Sequence, residues 1–230
     1  MELNDLTLRE DANLQVYYRF QDNLNDASGN GRNGTFVAVS GSPVYVPARY
    51  GKGIDLELDN TQRVNTGWNP NVGTGNFSLS CVVKPETIAG LQYGLMSTYD
   101  ADTNKGLFIQ RNTLYGGIIF GCAGSGYDHL DGQTPLVAGK LMQILAVRES
   151  SWLRLYINGV EDPGSPVANT GQNVNSGYNL FVGLYYAHSI AGSTGCFDGV
   201  MDDAAFFDRA LTKKEAQALY NTMSGILAAL

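Results

Sequence analysis

In several stretches of this chain apolar residues recur at about every second position, the spacing that turns one face of a β-strand into a core and the other outward. Residues 14–20, L-Q-V-Y-Y-R-F, read as a first strand. Short apolar stretches at 36–39 and 43–46 follow a turn-rich loop at 21–35. Residues 76–85, N-F-S-L-S-C-V-V-K-P, are a strong strand candidate, and 91–98, 106–111 and 113–121 follow it, with turns at Asn104-Lys105-Gly106 and Arg111-Asn112. Residues 141–148 and 152–157 alternate on either side of Glu149-Ser150-Ser151, and the second ends at Asn158-Gly159, a pair suited to a tight turn with positive φ. A closing apolar segment, 197–207, then feeds a short helix. Thr212 is placed to cap that helix and Glu215 to complete a reciprocal capping box. Ala210, Leu211, Ala216, Leu219 and Tyr220 give it an apolar stripe near helical period.

Composition agrees with an all-β domain. Glycine is abundant at 28 residues, proline modest at 7, and 13 tyrosines and 9 phenylalanines favour strands joined by tight turns. At 230 residues, one two-sheet sandwich is long enough to bury about 70% of its unfolded surface. No internal repeat or linker interrupts it. We therefore read residues 14–220 as one domain between an arm at 1–13, with neither strand nor helix period, and a tail at 221–230, apolar enough to prefer burial on its own sandwich or on another subunit. The net charge of −7 argues against nucleic acid or an anionic membrane surface as partner, since both need clustered lysine and arginine. Cys81, Cys122 and Cys196 are too few and too odd in number for a disulfide framework, so reduced, apolar-packed thiols are expected. The opening M-E-L-N-D-L-T-L-R-E-D carries acidic residues where a signal peptide would place lysines.

Several motifs share an order with a known family. They are the S-G-N-G-R-N-G-T loop at 28–35 after the first strand, Y-G-K-G-I-D-L at 50–56, F-S-L-S-C-V-V-K-P at 77–85, L-Y-I-N-G at 155–159, and L-F-V-G at 180–183. The last is F-D-G-V-M-D-D-A-A-F-F-D-R-A-L-T-K-K-E-A-Q-A-L-Y at 197–220. Taken together the chain resembles laminin G-like domains, members of the concanavalin A-type lectin and glucanase jelly rolls, over nearly its whole length. Val82 stands where that family usually has tryptophan, and Met142-Gln143 where it usually has Trp-His. The resemblance implies an antiparallel two-sheet jelly-roll sandwich with one short C-terminal helix, and a structural Ca2+ as in many relatives.

Asp22 and Asp26 in the first loop, with Asp202 from the closing strand, are the carboxylates that such a fold can bring together for calcium, Asn23, Asn25 and Gly34 adding neutral oxygens. The alternative is that Asp22 and Asp26 only form Asx turns and Asp202 caps nearby backbone groups. Retaining glucanases on this fold carry paired glutamates on one strand. Here Glu57-Leu58-Asp59 continues as Asn60-Thr61-Gln62, so no enzyme activity is expected.

The segments 125–131 and 185–188, read as loops, combine rings with hydrogen-bonding groups. Tyr127, His129, Tyr185 and Tyr186 are the candidate ligand-binding residues, Trp68 and Tyr99 being further platforms, against the alternative of ordinary surface tyrosines. Two function classes follow. The first is a non-enzymatic decoration protein of a virus (phage) particle, placed on the virion surface after assembly in the host cytoplasm. Its partners would be other virion subunits held through residues 1–13 and 221–230, with glycan adhesion as an added capacity. The second is a carbohydrate-binding module of a cellular protein, acting outside the cell.

Overall fold

The two strongest strand candidates lie side by side at the centre of one sheet, as β6 (Phe77–Pro85) and β16 (Gly199–Phe207). The computed structural model describes residues 10–49, 51–88, 93–111, 116–188 and 195–225. Around β6 and β16 are β1 (Leu14–Tyr18), β3 (Val44–Pro47), β4 (Lys52–Leu56), β11 (Met142–Glu149), β12 (Trp152–Ile157), β13 (Val160–Glu161) and β14 (Val167–Ala168). They form a nine-stranded sheet in the order β13-β12-β11-β6-β16-β4-β3, with β1 also paired to β16 and β14 to β12. The second sheet has seven strands. It comprises β2 (Thr35–Val37), β5 (Arg63–Asn65), β7 (Gly94–Ser97), β8 (Gly106–Arg111), β9 (Ile118–Ala123), β10 (Tyr127–Asp131) and β15 (Phe181–Val182), in the order β10-β9-β8-β7-β15-β5-β2. All pairings within both sheets are antiparallel. The expected two-sheet jelly-roll sandwich is the fold.

The core lies between the sheets. Phe77 stacks on Phe206 with centroids 5.7 Å apart and meets Phe120 of the opposite sheet edge-on at 5.9 Å. Leu79, Cys81, Ile144, Leu155, Leu107 and Ile109 fill the space around them. Each such side chain taken out of water contributes about 1.5–3 kcal/mol. Cys81, Cys122 and Cys196 are free and buried, as composition suggested.

β6 and β16 are buried on both faces, Ser78, Ser80 and Asp202 included, because the outer face of the nine-stranded sheet is covered too. There Val82, Leu145, Val147, Tyr156, Ala205 and Phe207 pack against Leu211, Ala216 and Leu219, the stripe of helix α1 (Lys213–Gly225). The capping box forms as read. The Thr212 N–H donates to Glu215 Oε2 at 2.7 Å, and the Glu215 N–H to Thr212 Oγ1 at 3.2 Å. Arg209 locks the helix start, donating to Glu215 Oε1 at 2.7 Å and Asp11 Oδ2 at 2.6 Å. Burial works against both carboxylates, but the hydrogen bonds from Arg209 and local backbone outweigh it and hold Asp11 and Glu215 below the usual carboxylate range. First and last strands meet, Tyr17 donating its hydroxyl to Asp203 at a bulge in β16 where Asp203 has φ 47°. The Asn158-Gly159 turn has φ 51° and 74°, and Ile157 pairs with Val160 across it.

Differences from the sequence reading are local. The segment 125–131 contains strand β10, whose exposure alternates along Tyr127, Asp128, His129, Leu130 and Asp131. The short strands β5, β13 and β14 have no counterpart among the sequence-based expectations. β9 begins at Ile118, and residues 112–115 lie outside the described residues. Of the expected arm, residues 10–13 are described, and Asp11 is bound to this domain's own Arg209. Helix α1 runs past residue 220 to Gly225, and 226–230 lie outside the described residues. Among the described residues no helix is long and apolar enough to cross a membrane.

Candidate functional site

The outer face of the seven-stranded sheet is built differently from its counterpart. Along one row of register His129 lies opposite Gly121, Gly121 opposite Phe108, and Phe108 opposite Ser97. With no Cβ on Gly121, the Phe108 ring lies flat over it: a Cβ there would stand 2.2 Å from Phe108 Cζ. Phe108 is thereby fully buried yet belongs to the outer face. It forms the floor of an aromatic band. Tyr185 meets it edge-on at 5.0 Å and Tyr127 stacks over it at 6.1 Å. Tyr99 stacks on Tyr185 at 5.5 Å, and Tyr186 adjoins both tyrosines at 4.1 and 6.0 Å. All four ring residues singled out from the sequence, Tyr127, His129, Tyr185 and Tyr186, thus come together, joined through Phe108 and Tyr99.

Strand β10 holds its edge of the band because its inward residues are tied down. Leu130 enters the core, and Asp128 accepts hydrogen bonds from the Thr170 N–H and hydroxyl, each at 2.8 Å. Tyr127 and His129, two residues apart, are therefore held outward; Tyr127 is 43% exposed. Their rings stack at 4.8 Å, and His129 Nε2 lies 3.3 Å from Asp131 Oδ2. Tyr99 donates its hydroxyl to Asn104 Oδ1 at 2.6 Å. Burial, then the nearby tyrosines and acids, pushes the Tyr99, Tyr127 and Tyr185 phenols above their usual range, so these hydroxyls stay protonated donors at neutral pH.

His188, in the segment 185–188 singled out from the sequence, meets two carboxylates that the sequence reading did not name. His188 Nδ1 lies 3.0 Å from Asp100 Oδ1 and 3.1 Å from Asp102 Oδ2, and its ring stacks on Tyr178 at 4.6 Å. Asp100, 2% exposed, also accepts from the Thr103 hydroxyl and from the Asp102 N–H at 3.0 Å. Burial alone would raise its pKa; these bonds and His188 overcome that and hold it low, so it is ionised. Among the described residues, Asp100, Asp102 and His188 are the metal-ligating side chains whose donor atoms come within 4.8 Å of one another.

The calcium candidates are not gathered in this way. Asp22 is bound by Lys52 Nζ at 2.7 Å on the surface. Asp26 is occupied within its own loop, accepting from the N–H groups of Tyr17, Ser28 and Arg32 and the Ser28 hydroxyl. Asp202 is fully buried in β16 and accepts from the Asp203 N–H at 2.8 Å, close to the backbone-capping alternative. Trp68 is no platform on the band. It packs edge-on against core Phe206 at 5.2 Å, with the Arg32 guanidinium 4.4 Å over its ring. Elsewhere, burial and then mutual repulsion, including that from Asp198, raise Asp55, Glu57 and Glu86 above the usual carboxylate range.

Comparison with known proteins now bears on the sandwich. The sequence profile described as the concanavalin A-like lectin/glucanases superfamily, of laminin G type, matches residues 58–217, which include the whole band. The chain belongs to this superfamily. A comparison with curated protein sequences gives no match. Among solved structures, this lectin-like domain is similar to domain 4 of AbnA, an extracellular GH43 arabinanase of Geobacillus stearothermophilus, in complex with arabinotriose. The TM-score is 0.71 at 20% identity, over 90% of this chain and 98% of that one. It is similar to the binding domain of Paraclostridial Mosquitocidal Protein 1 (TM-score 0.72, 19% identity, 95% of this chain, 53% of that one). The binding domain of botulinum neurotoxin DC in complex with SialylT gives a TM-score of 0.68 at 15% identity, covering 94% and 52%. The domain spans about half the length of the two toxin domains. At these identities the likeness is one of fold.

Proposed function

We propose that this domain is a non-catalytic carbohydrate-binding module whose ligand lies across the aromatic band. The observation that carries the reading is the convergence of Tyr99, Tyr127, Tyr185, Tyr186 and Phe108, from separate stretches of chain, on one sheet face edged by His129, Asp131 and Asn104. Ring faces stack on the C–H faces of sugars, while the imidazole, carboxylate and amide at the rim pair with hydroxyls. The superfamily and the arabinotriose-bound fold neighbour support it. The missing paired-glutamate strand supports binding without hydrolysis.

The test is a glycan array followed by titration calorimetry on the wild type and on Tyr127→Ala and Tyr186→Ala, with melting curves as controls. Binding that both variants weaken while staying folded is the expected result. Binding untouched by either would remove the band from the site. The virus-particle reading rests on the two arms, which lie mostly outside the described residues; sedimenting a gentle lysate of the source and following this chain by mass spectrometry tests it.

A further inference from the structure

Among the largest fully buried side chains is a cation, Arg148 of β11. Its register partners, Phe77 on β6 and Leu153 on β12, both belong to the core between the sheets, so the side chain stands on that inner face, with its guanidinium 5.8 Å from the centroid of the Phe77 ring. Among the described residues no carboxylate pairs with it, and its Nε meets no acceptor. Taking an unpaired cation out of water is costly, and an uncharged side chain of similar volume would fill the same space without that penalty. What the guanidinium holds is backbone. Nη1 donates to Gly73 O at 3.2 Å and Nη2 to Gln172 O at 2.6 Å.

We propose that Arg148 is a positioning residue for the carbohydrate-binding face: from within the sandwich it fixes the segment 170–173, against which the β9–β10 hairpin with Tyr127 and His129 is seated. This rests on the carbohydrate-binding reading and adds to it a residue that no ligand touches.

Two observations connect Arg148 to the band. First, a path of hydrogen bonds runs outward from it. Gln172, whose carbonyl Arg148 binds, accepts at its own Oε1 from the Gly126 N–H at 2.7 Å and donates from Nε2 to Thr170 Oγ1 at 2.8 Å. Thr170 in turn donates its N–H and hydroxyl to Asp128. Gly126 and Asp128 flank Tyr127 in the chain, so both of its neighbours are fastened to residues 170–172. Second, the segment lies directly on the hairpin turn. A Cβ on Gly124 would stand 2.8 Å from Asn173 O, a backbone approach that only glycine admits, and one on Gly126 would stand 2.8 Å from Gln172 Nε2. Asn169 ties the start of the segment to the β11–β12 turn, its N–H donating to Ser151 O and its Nδ2 to Glu149 O, each at 3.0 Å. The other end, beside the hairpin, is left to Arg148 and to Gly73, which accepts from the Val174 N–H at 3.1 Å and donates to Asn175 Oδ1 at 2.7 Å. A guanidinium suits this place because its rigid fork reaches carbonyls of two separate loops at once, which the single amine of a lysine does not.

The experiment uses Arg148→Met, which fills the space without donors, and Arg148→Lys, which keeps the charge without the fork. Gln172→Ala cuts the path further out and guards against an Arg148 variant that fails to fold. Each is titrated by calorimetry with the strongest glycan array ligand, alone and combined with Tyr127→Ala or Tyr186→Ala, and amide hydrogen exchange is followed without ligand. Arg148→Met is expected to weaken binding about tenfold, Arg148→Lys to recover little of it, and Gln172→Ala to weaken it about threefold. These losses should shrink to under about twofold in the Tyr127→Ala background and persist in the Tyr186→Ala background, a pattern that a general loss of stability does not give. The Gly126 and Thr170 amides should exchange at least about tenfold faster in Arg148→Met while those of β6 and β16 keep their wild-type rates. Folded variants that bind as tightly as wild type, or unchanged exchange at Gly126 and Thr170, overturn the proposal, and the carbohydrate-binding reading stands if Tyr127→Ala still weakens binding. Equal losses in the two tyrosine backgrounds overturn the route through Tyr127. If the wild type binds no glycan, the carbohydrate-binding reading falls and takes the functional role of Arg148 with it, while exchange still shows whether Arg148 holds the hairpin.

Discussion

The outer faces of the two sheets treat apolar surface in opposite ways. On the nine-stranded sheet Val82, Leu145, Val147, Tyr156 and Phe207 are roofed by the stripe of α1 and by Tyr17, and they are buried. On the seven-stranded sheet Phe108 and Tyr185 are also buried, but the cover over them is a second layer of half-exposed rings that carry polar edges. One face is closed by its own chain for stability. The other stops one layer short, and its outermost groups are amphipathic, which is what a surface meant to exchange water for a ligand requires.

The two faces should therefore respond to mutation in opposite ways. Phe207→Ala empties a fully buried position on the roofed face and should cost about 3–5 kcal/mol in denaturant unfolding, while the folded fraction keeps its glycan affinity. Loss of affinity at full occupancy of the fold would mean the faces are coupled. Arg209→Ala leaves Asp11 and Glu215 without their shared cation and should cost about 1.5–3 kcal/mol, again without touching binding. Tyr127→Ala should reverse the order, with stability changed by less than about 1 kcal/mol and affinity by about tenfold.

Acid should separate two sets of carboxylates. Asp11 and Glu215 titrate low, so their contribution is present above the ordinary carboxylate range and fades as pH falls below roughly 4. Asp55, Glu57 and Glu86 titrate high, so the folded state binds protons first and gains stability as pH falls from neutral toward their titration. The melting temperature should pass through a maximum in mild acid, and Arg209→Ala should flatten its acid limb. Smallest of all, calcium or a chelator should leave the melting temperature unchanged, because Asp22 and Asp26 are already occupied; a rise with calcium that Asp26→Ala removes and Asp102→Ala keeps would reinstate a metal there.

What could be read from the sequence depended on how local the determinant was. The capping box at Thr212 and Glu215 and the turn at Asn158-Gly159 are written in adjacent residues, and both formed. β6 showed through the alternation of Phe77, Leu79 and Cys81 with serines, and β16 through the apolar residues that flank its two aspartates. β10 was missed because one of its inward positions is Asp128, satisfied by Thr170, so its alternation is not one of apolar and polar residues. The tyrosines and His129 were found from their chemistry alone, but their meeting depends on Gly121 leaving room for Phe108. Asp100 and His188 lie 88 positions apart, and only the sheet brings them together. Conversely, Asp22, Asp26 and Asp202 looked like a set in the sequence, yet Lys52, the loop backbone and the interior of β16 each claim one.

The meeting of first and last strands has an architectural consequence. Residue 11 is clamped to Arg209, β1 lies against β16, and α1 rides on the far side of the same sheet. Any tether, tag or neighbouring module attached through either of these segments pulls from the nine-stranded side, so the domain would hang with its aromatic face turned away from whatever anchors it.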